Sequence, residues 1–273
     1  MSRARRISAL VIITLSLFGG TASSAAEPPK RLLLLSQQPD GHPPSTHEYA
    51  AGQRVLAKLL AGVPELEITH AAADGDWPAG PDLLAKADGV VLFVSEGAKW
   101  LNSDPARRAA FAELAGRRGG LAVLHWGMGT KDAANIEPFV ALFGACHGGP
   151  DRKYKVLDAA EIHIAAEHPV VAGLADFRLK EEFYYALKRA PEAEDLVPLV
   201  TVRVDDAEQM VGWAWQRPKG GRSFGFSGGH FHANWGRPEY QRLIAQGVLW
   251  TLGLTPPQSD FPAPLEERDL KLP

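Results

Sequence analysis

A short apolar strand that runs into a glycine pair and two histidines, Arg222-Ser223-Phe224-Gly225-Phe226-Ser227-Gly228-Gly229-His230-Phe231-His232-Ala233-Asn234-Trp235, constrains the fold of this 273-residue chain more than any other segment. Phe224 and Phe226 alternate with small residues, as a strand facing a core does, and Gly228-Gly229 lets the backbone turn sharply where the strand ends. His230 and His232 then sit at the C-terminal edge of a strand, where open α/β sheets place their ligand crevices. One such histidine can be purely structural; two of them, beside Asn234 and Trp235, mark the first place to look for chemistry.

Other buried strands are legible as short apolar runs: Arg31–Ser36, Leu66–His70, Asp88–Val94 and Gly119–Leu124. After the first comes the loop Gln37–Glu48, rich in proline and histidine, and then helical spacing from Tyr49 to Leu60 through Val55, Leu56, Leu59 and Leu60. Ser45 and Glu48 have the S-x-x-E spacing of a capping box, and His47 falls in the first turn facing the strand ends. Ala79-Gly80-Pro81-Asp82 opens a short helix, Ser95-Glu96-Gly97 is a polar turn at a strand end, and Asp104-Pro105 caps a helix through Arg118. The strand through Leu124 stops at His125-Trp126-Gly127, placed like a nucleophile elbow but with no serine or cysteine on it. Asn135 caps a helix through Leu142, followed by the glycine-rich loop Gly144–Gly149.

After Pro150 the pattern changes to successive alternating strands, at Lys153–Ala165, Val197–Val204, Gln209–Gln216 and Arg222–Ser227, with Glu181-Glu182-Phe183-Tyr184-Tyr185 placing acids beside aromatic rings. Pro238 begins a final helix, and the tail beyond about Thr255, rich in proline and charge, is expected to lie loosely on the surface. No repeat or composition break divides residues 27–273, so they read as a single domain.

Residues 1–26, with Arg3, Arg5 and Arg6 before a short apolar run and small residues up to Ala26, read as a secretory signal peptide, which makes the mature protein periplasmic or extracellular. Cleavage there removes three arginines and no acid, so 29 basic against 32 acidic residues becomes 26 against 32. That balance argues against nucleic acid, and no later run is apolar enough to suggest a membrane partner once the signal is gone. The single Cys146 can form no internal disulfide, and a lone thiol is more often a small buried hydrophobe than a nucleophile.

Read together, the strand and His-rich loop, then Gly119–His125, His168-Pro169-Val170-Val171-Ala172-Gly173-Leu174, Glu181–Tyr185, Gly220–His232 and Gly247–Gly253 resemble the trehalose-utilisation (ThuA-like) family over nearly all of residues 31–254. The resemblance implies a flavodoxin-like, class I glutamine amidotransferase-like three-layer α/β sandwich, with a mostly parallel central sheet and additional antiparallel strands in the C-terminal half. It also implies a part in carbohydrate catabolism, notably of oxidised (3-keto) disaccharides, with a small carbohydrate as partner. The amidotransferase relatives use an elbow cysteine, whereas this chain has His125-Trp126 there and Cys146 a helix away.

His125, Glu182 and His230 are the candidate catalytic residues, with His47, Trp126, Tyr184, His232 and Trp235 as candidate substrate contacts. His47, His125, His230 and His232 are scattered rather than held in a dense motif, yet three of them with a carboxylate could ligate a divalent metal. Without a metal, one histidine serves as general acid or base beside Glu182, with Trp126 and Trp235 as platforms for a sugar ring. An exported enzyme that cleaves or isomerises an oxidised glycoside, a hydrolase or lyase, is the reading these residues favour. A non-catalytic carbohydrate-binding module and a metal-dependent hydrolase of another small polar substrate are the alternatives; the residues set no oligomeric state.

Overall fold

The computed structural model describes residues 28–257 and 261–272; the signal segment expected at 1–26 lies outside the described residues. The strands are β1 (Lys30–Ser36), β2 (Leu66–Ala72), β3 (Gly89–Leu92), β4 (Gly120–Leu124), β5 (Gly129–Thr130), β6 (Ala145–Gly148), β7 (Lys153–Ile164), β8 (Phe177–Tyr185), β9 (Lys188–Arg189), β10 (Leu196–Val204), β11 (Ala207–Gln216) and β12 (Arg222–Phe226). The helices are α1 (Tyr49–Leu60), α2 (Gly80–Lys86), α3 (Gly97–Asn102), α4 (Pro105–Gly116), α5 (Ile136–Phe143) and α6 (Pro238–Leu252).

Nine strands form one mixed sheet in the order β2-β1-β3-β4-β12-β11-β10-β7-β8. The pairings from β2 through β12 are parallel and those from β12 through β8 antiparallel. Alternation along the central strands splits the core by face. Leu32 and Leu34 of β1 join Val91, Leu124 and Phe224 beneath α1 and α6, while Leu33 and Leu35 join Val90, Leu92 and Val123 beneath α2 to α5. Strands buried on both faces must be apolar throughout, which is why the first half of the sheet reads so plainly in the sequence.

The antiparallel half is less regular. Its ladders shift register between Leu157 and Ala160 of β7 and between Pro198 and Thr201 of β10. Such irregularities bend a strand and increase its twist. The far strand β8 meets the turn after β12, where the Glu181 carboxylate accepts hydrogen bonds from the Gly229 and His230 backbone N–H groups, both at 3.1 Å.

Several local expectations change. The segment expected as a glycine-rich loop contains β6, which pairs with β5 and β9 in a small second sheet. Asn135 stands at the start of α5 but its side chain caps nothing there. Glu48, not Ser45, occupies the N-cap of α1, and its carboxylate accepts from the Ser45 N–H at 3.1 Å, so it closes the preceding loop instead of capping the helix. The described tail is fastened rather than loose. Phe261 is buried, Ala263 N–H donates to the Leu59 carbonyl, and Arg54 reaches the Lys271 carbonyl.

Candidate functional site

Four C-terminal strand ends meet at one place: β1 with its loop 37–48, β3 with Ser95, β4 with His125, and β12 with Ser227–His230. The chain makes a sharp turn at His125, whose φ of 46° is left-handed and therefore strained for a non-glycine residue. Gly229, at φ 133°, lies so near that a Cβ there would come within 2.8 Å of the His125 Cβ. Backbone bonds pin the loop to the turn, from His47 N–H to the His230 carbonyl at 3.0 Å and from His232 N–H to the Ser45 carbonyl at 2.9 Å. His47, His125 and His230 are thus brought together by main-chain geometry from three distant parts of the chain.

The tautomers follow from the partners. His125 Nδ1 lies 2.7 Å from the Ser227 carbonyl and His47 Nδ1 lies 3.0 Å from the Asp40 carboxylate, groups that only accept. Each Nδ1 carries the proton, leaving both Nε2 atoms with lone pairs. Those two nitrogens face one another at 3.0 Å. His230 Nδ1 is buried without a protein partner and lies 3.6 Å from Glu182 Oε1, which is 3.9 Å from His125 Nε2. One ligating atom from each of His47, His125, Glu182 and His230 falls within 4.8 Å of all the others.

Burial disfavours charge here. It pushes the His125 pKa well below the usual histidine value, with His47 adding to the effect, and lowers His230 to about 4. His47 is lowered by burial as well, although Asp40 opposes the shift. Burial raises Glu182 to about 7, against the pull of His42. Asp40 behaves differently: burial works against its charge, but hydrogen bonds from His47, Tyr49 and His42 hold its carboxyl well below the ordinary range. Ser95 Oγ also donates to it at 3.0 Å.

The cluster opens into a pocket of about 360 Å³ lined by His42, Trp126, Lys131, His147, Arg152, Tyr154 and Tyr184 besides His47, Glu182 and His230. A hollow of about 380 Å³ at Leu157–Arg203 offers no comparable convergence of histidines. The Tyr184 ring stacks between His125, at 4.4 Å, and His147, at 3.9 Å, and its hydroxyl is 3.0 Å from His125 Nε2. Trp126 lies edge-on to both Tyr184 and His147.

Two of the residues expected here are elsewhere. His232 turns away into the start of a 3-10 segment and sets its Nε2 3.1 Å from the Leu270 carbonyl of the tail, so it is no member of the cluster. Trp235 is buried against Tyr240 and lies outside the pocket lining, so it offers no platform to a ligand there. Cys146 is buried, burial pushes its thiol far up, and its Sγ meets the Met128 carbonyl at 3.1 Å. Asp40, His42, His147, Lys131 and Arg152 were not among the sequence candidates. The position of Asp40 and His42 in the loop after the first central strand was the available signal for those two.

A family model described as ThuA, trehalose utilisation, matches residues 33–251. The chain belongs to the ThuA family. This ThuA-family chain is similar to a solved ThuA-like protein from Bacteroides uniformis, at 17% identity and TM-score 0.63, covering 89% of this chain and 99% of that one. A ThuA-like protein from Parabacteroides merdae superposes with TM-score 0.64 at 16% identity, covering 90% of this chain and 100% of the other. At these identities the two establish the fold alone. A glutaminase domain of CTPS from Trypanosoma brucei aligns at TM-score 0.45 and 11% identity, over 80% of this chain and 93% of that domain. No curated protein matches the sequence significantly.

Proposed function

We propose that this ThuA-family chain is an exported, divalent-metal-dependent enzyme that cleaves or isomerises a small oxidised glycoside. The observation that carries the metal is the facing pair of His47 and His125 Nε2 atoms at 3.0 Å, both with Nδ1 already committed as donor. Two lone pairs at that separation repel; the Tyr184 hydroxyl, 3.0 Å from His125 Nε2, can satisfy only one of them, a cation between them satisfies both, and burial of both rings makes a shared proton costly. His230 Nδ1, buried and unpartnered, and Glu182 supply the remaining donors. Three imidazoles and one carboxylate suit zinc or a similar divalent transition metal. The Asp40 and Ser227 contacts are the outer hydrogen bonds that orient ligating histidines.

Such a cation polarises a carbonyl or lowers the pKa of a bound water. Around it the chain supplies the rest. Tyr184, kept protonated by burial, holds its hydroxyl beside His125 Nε2; Glu182 near neutrality is suited to take or give a proton; Trp126 on the pocket wall presents apolar surface to a sugar ring. The family description, trehalose utilisation, supports a carbohydrate substrate.

The test is elemental analysis of the purified native protein, with turnover measured on glucosides and their 3-keto derivatives before and after chelation. About one equivalent of divalent metal, and activity lost with it and restored on readdition, is expected. In His230→Ala, turnover should fall by roughly 10²–10⁴-fold and metal retention with it. A native protein that holds no metal, takes none up, and turns over a substrate unaffected by chelator would overturn the metal reading.

A further inference from the structure

The pocket has a second end. Beyond the Tyr184 ring, its lining includes Lys131, Arg152 and His147, with the Tyr154 ring 60% exposed at the rim. Asp151 and Asp132, beside the two cations in the chain, and Glu96, which contacts the Lys131 backbone, have other partners for their carboxylates. Asp151 pairs with Lys188 at 2.6 Å, Glu96 accepts from the Lys131 backbone N–H at 2.9 Å and pairs with Lys99, and Asp132 accepts from Ala134 N–H at 3.0 Å. Among the described residues neither the Lys131 ammonium nor the Arg152 guanidinium forms an ion pair; Arg152 Nη1 makes one bond, to the Gly149 carbonyl at 3.2 Å. His147, buried and without a protein hydrogen bond on its ring, adds a neutral N–H donor on the same wall.

Two unneutralised cations lining a half-enclosed pocket in a chain with more acidic than basic residues are a local positive focus. We propose that this end is an anion subsite, in which Arg152 and Lys131 hold an oxyanion carried by the sugar, a carboxylate or a phosphate, while Tyr154 covers the ring beside it. The guanidinium fork matches the paired oxygens of either group. The inference rests on the reading of the histidine end as the reacting end, and makes the substrate an acidic sugar derivative rather than a neutral one.

Binding of glucuronate, glucose 6-phosphate, inorganic phosphate and glucose to the full chain, by titration calorimetry with metal content measured in each sample, tests it. Glucuronate or glucose 6-phosphate should bind at least about tenfold tighter than glucose, and Arg152→Gln and Lys131→Gln should each remove about tenfold of that preference at unchanged metal content. Comparison of the two sugars identifies the carboxylate or the phosphate as the group recognised; inorganic phosphate binding as tightly as the sugar ester would reduce the site to one for free phosphate and overturn the proposal. It is also overturned if none of the anionic probes binds, if glucose binds equally well, or if the preference survives both substitutions; its loss on chelation would then put the anion on the metal. Arg152-dependent preference in a protein that proves metal-free would instead sustain the subsite and sink the metal reading.

Discussion

Asp40 shows how much of the site depends on a residue that need not touch a ligand. It holds His47 by Nδ1 at 3.0 Å and gathers Tyr49, Ser95 and His42 around one carboxylate. Asp40→Asn keeps the shape but lets an amide N–H face the His47 ring, so metal affinity should fall by about 10–100-fold, measured by competition with a chelator in a variant that still folds. Unchanged affinity would mean that Asp40 does not set the His47 tautomer. His232→Ala makes the opposite case, since among the described residues that ring's one hydrogen bond goes to the tail carbonyl of Leu270. Metal content and turnover should match the parent; loss of metal would restore His232 to the cluster. The sequence could place His125 and His230 at strand ends, because strand ends follow from apolar runs. It could not separate His230 from His232, two residues apart, since the turn after Gly229 decides which ring faces inward.

At the scale of elements, Glu181 ties β8 to the turn that carries His230. Its two oxygens accept from Glu182 N–H at 2.8 Å, Gly229 and His230 N–H at 3.1 Å, and Asn234 Nδ2 at 2.9 Å. Burial raises its pKa to about 7 while those donors hold it down. Glu181→Gln turns an N–H donor toward groups that can only donate, which leaves buried donors unsatisfied at a cost of about 2 kcal/mol. Melting should drop by roughly 5 °C for a domain of this size. No drop in Tm would show that the turn is held without it. The chain's sequence reveals the doubly buried strands, α1 and α6 by periodicity, yet hides α3 and β6. Those two form because Gly97 packs against Gly127 and because β5 and β9 flank β6, contacts made by residues remote in sequence. The placing of Glu181 against the turn after β12 is hidden for the same reason: it depends on how strands remote in sequence pair, register shifts included.

For the whole molecule, the balance of buried histidines and acids fixes how stability responds to pH. His47, His70, His125, His147, His168, His230 and His232 all have lowered pKa values with burial as the first cause, His230 to about 4 and His147 to about 3. Unfolded, each titrates near about 6.5, so below that pH the unfolded chain takes up protons that the metal-free fold refuses, and stability falls with pH. Glu181 and Glu182, raised to about 7, act in the other direction. Their folded forms bind protons that unfolded carboxyls release above about 4.5, so they add stability as pH falls from about 7 to 4.5 and nothing further below that. Seven histidines against two raised acids leave a net loss, shallow while the acids compensate and steeper below about pH 4.5, where His125, His147, His230 and the depressed Asp40, Asp88, Asp151 and Asp176 continue to titrate. The Tm of metal-stripped protein should therefore decline modestly from about pH 7 to 5 and sharply below about 4.5. On the proposed reading, metal stabilises only the folded form and competes with protons for His47, His125, His230 and Glu182, so the Tm gap between loaded and stripped protein should be widest near neutrality and close on acidification. Calorimetric scans of both forms across that range decide it. A stripped protein whose Tm rises steadily from about pH 6 to 4 would mean that the buried histidines are charged in the fold, and the neutral rings on which the lone-pair argument depends would be lost.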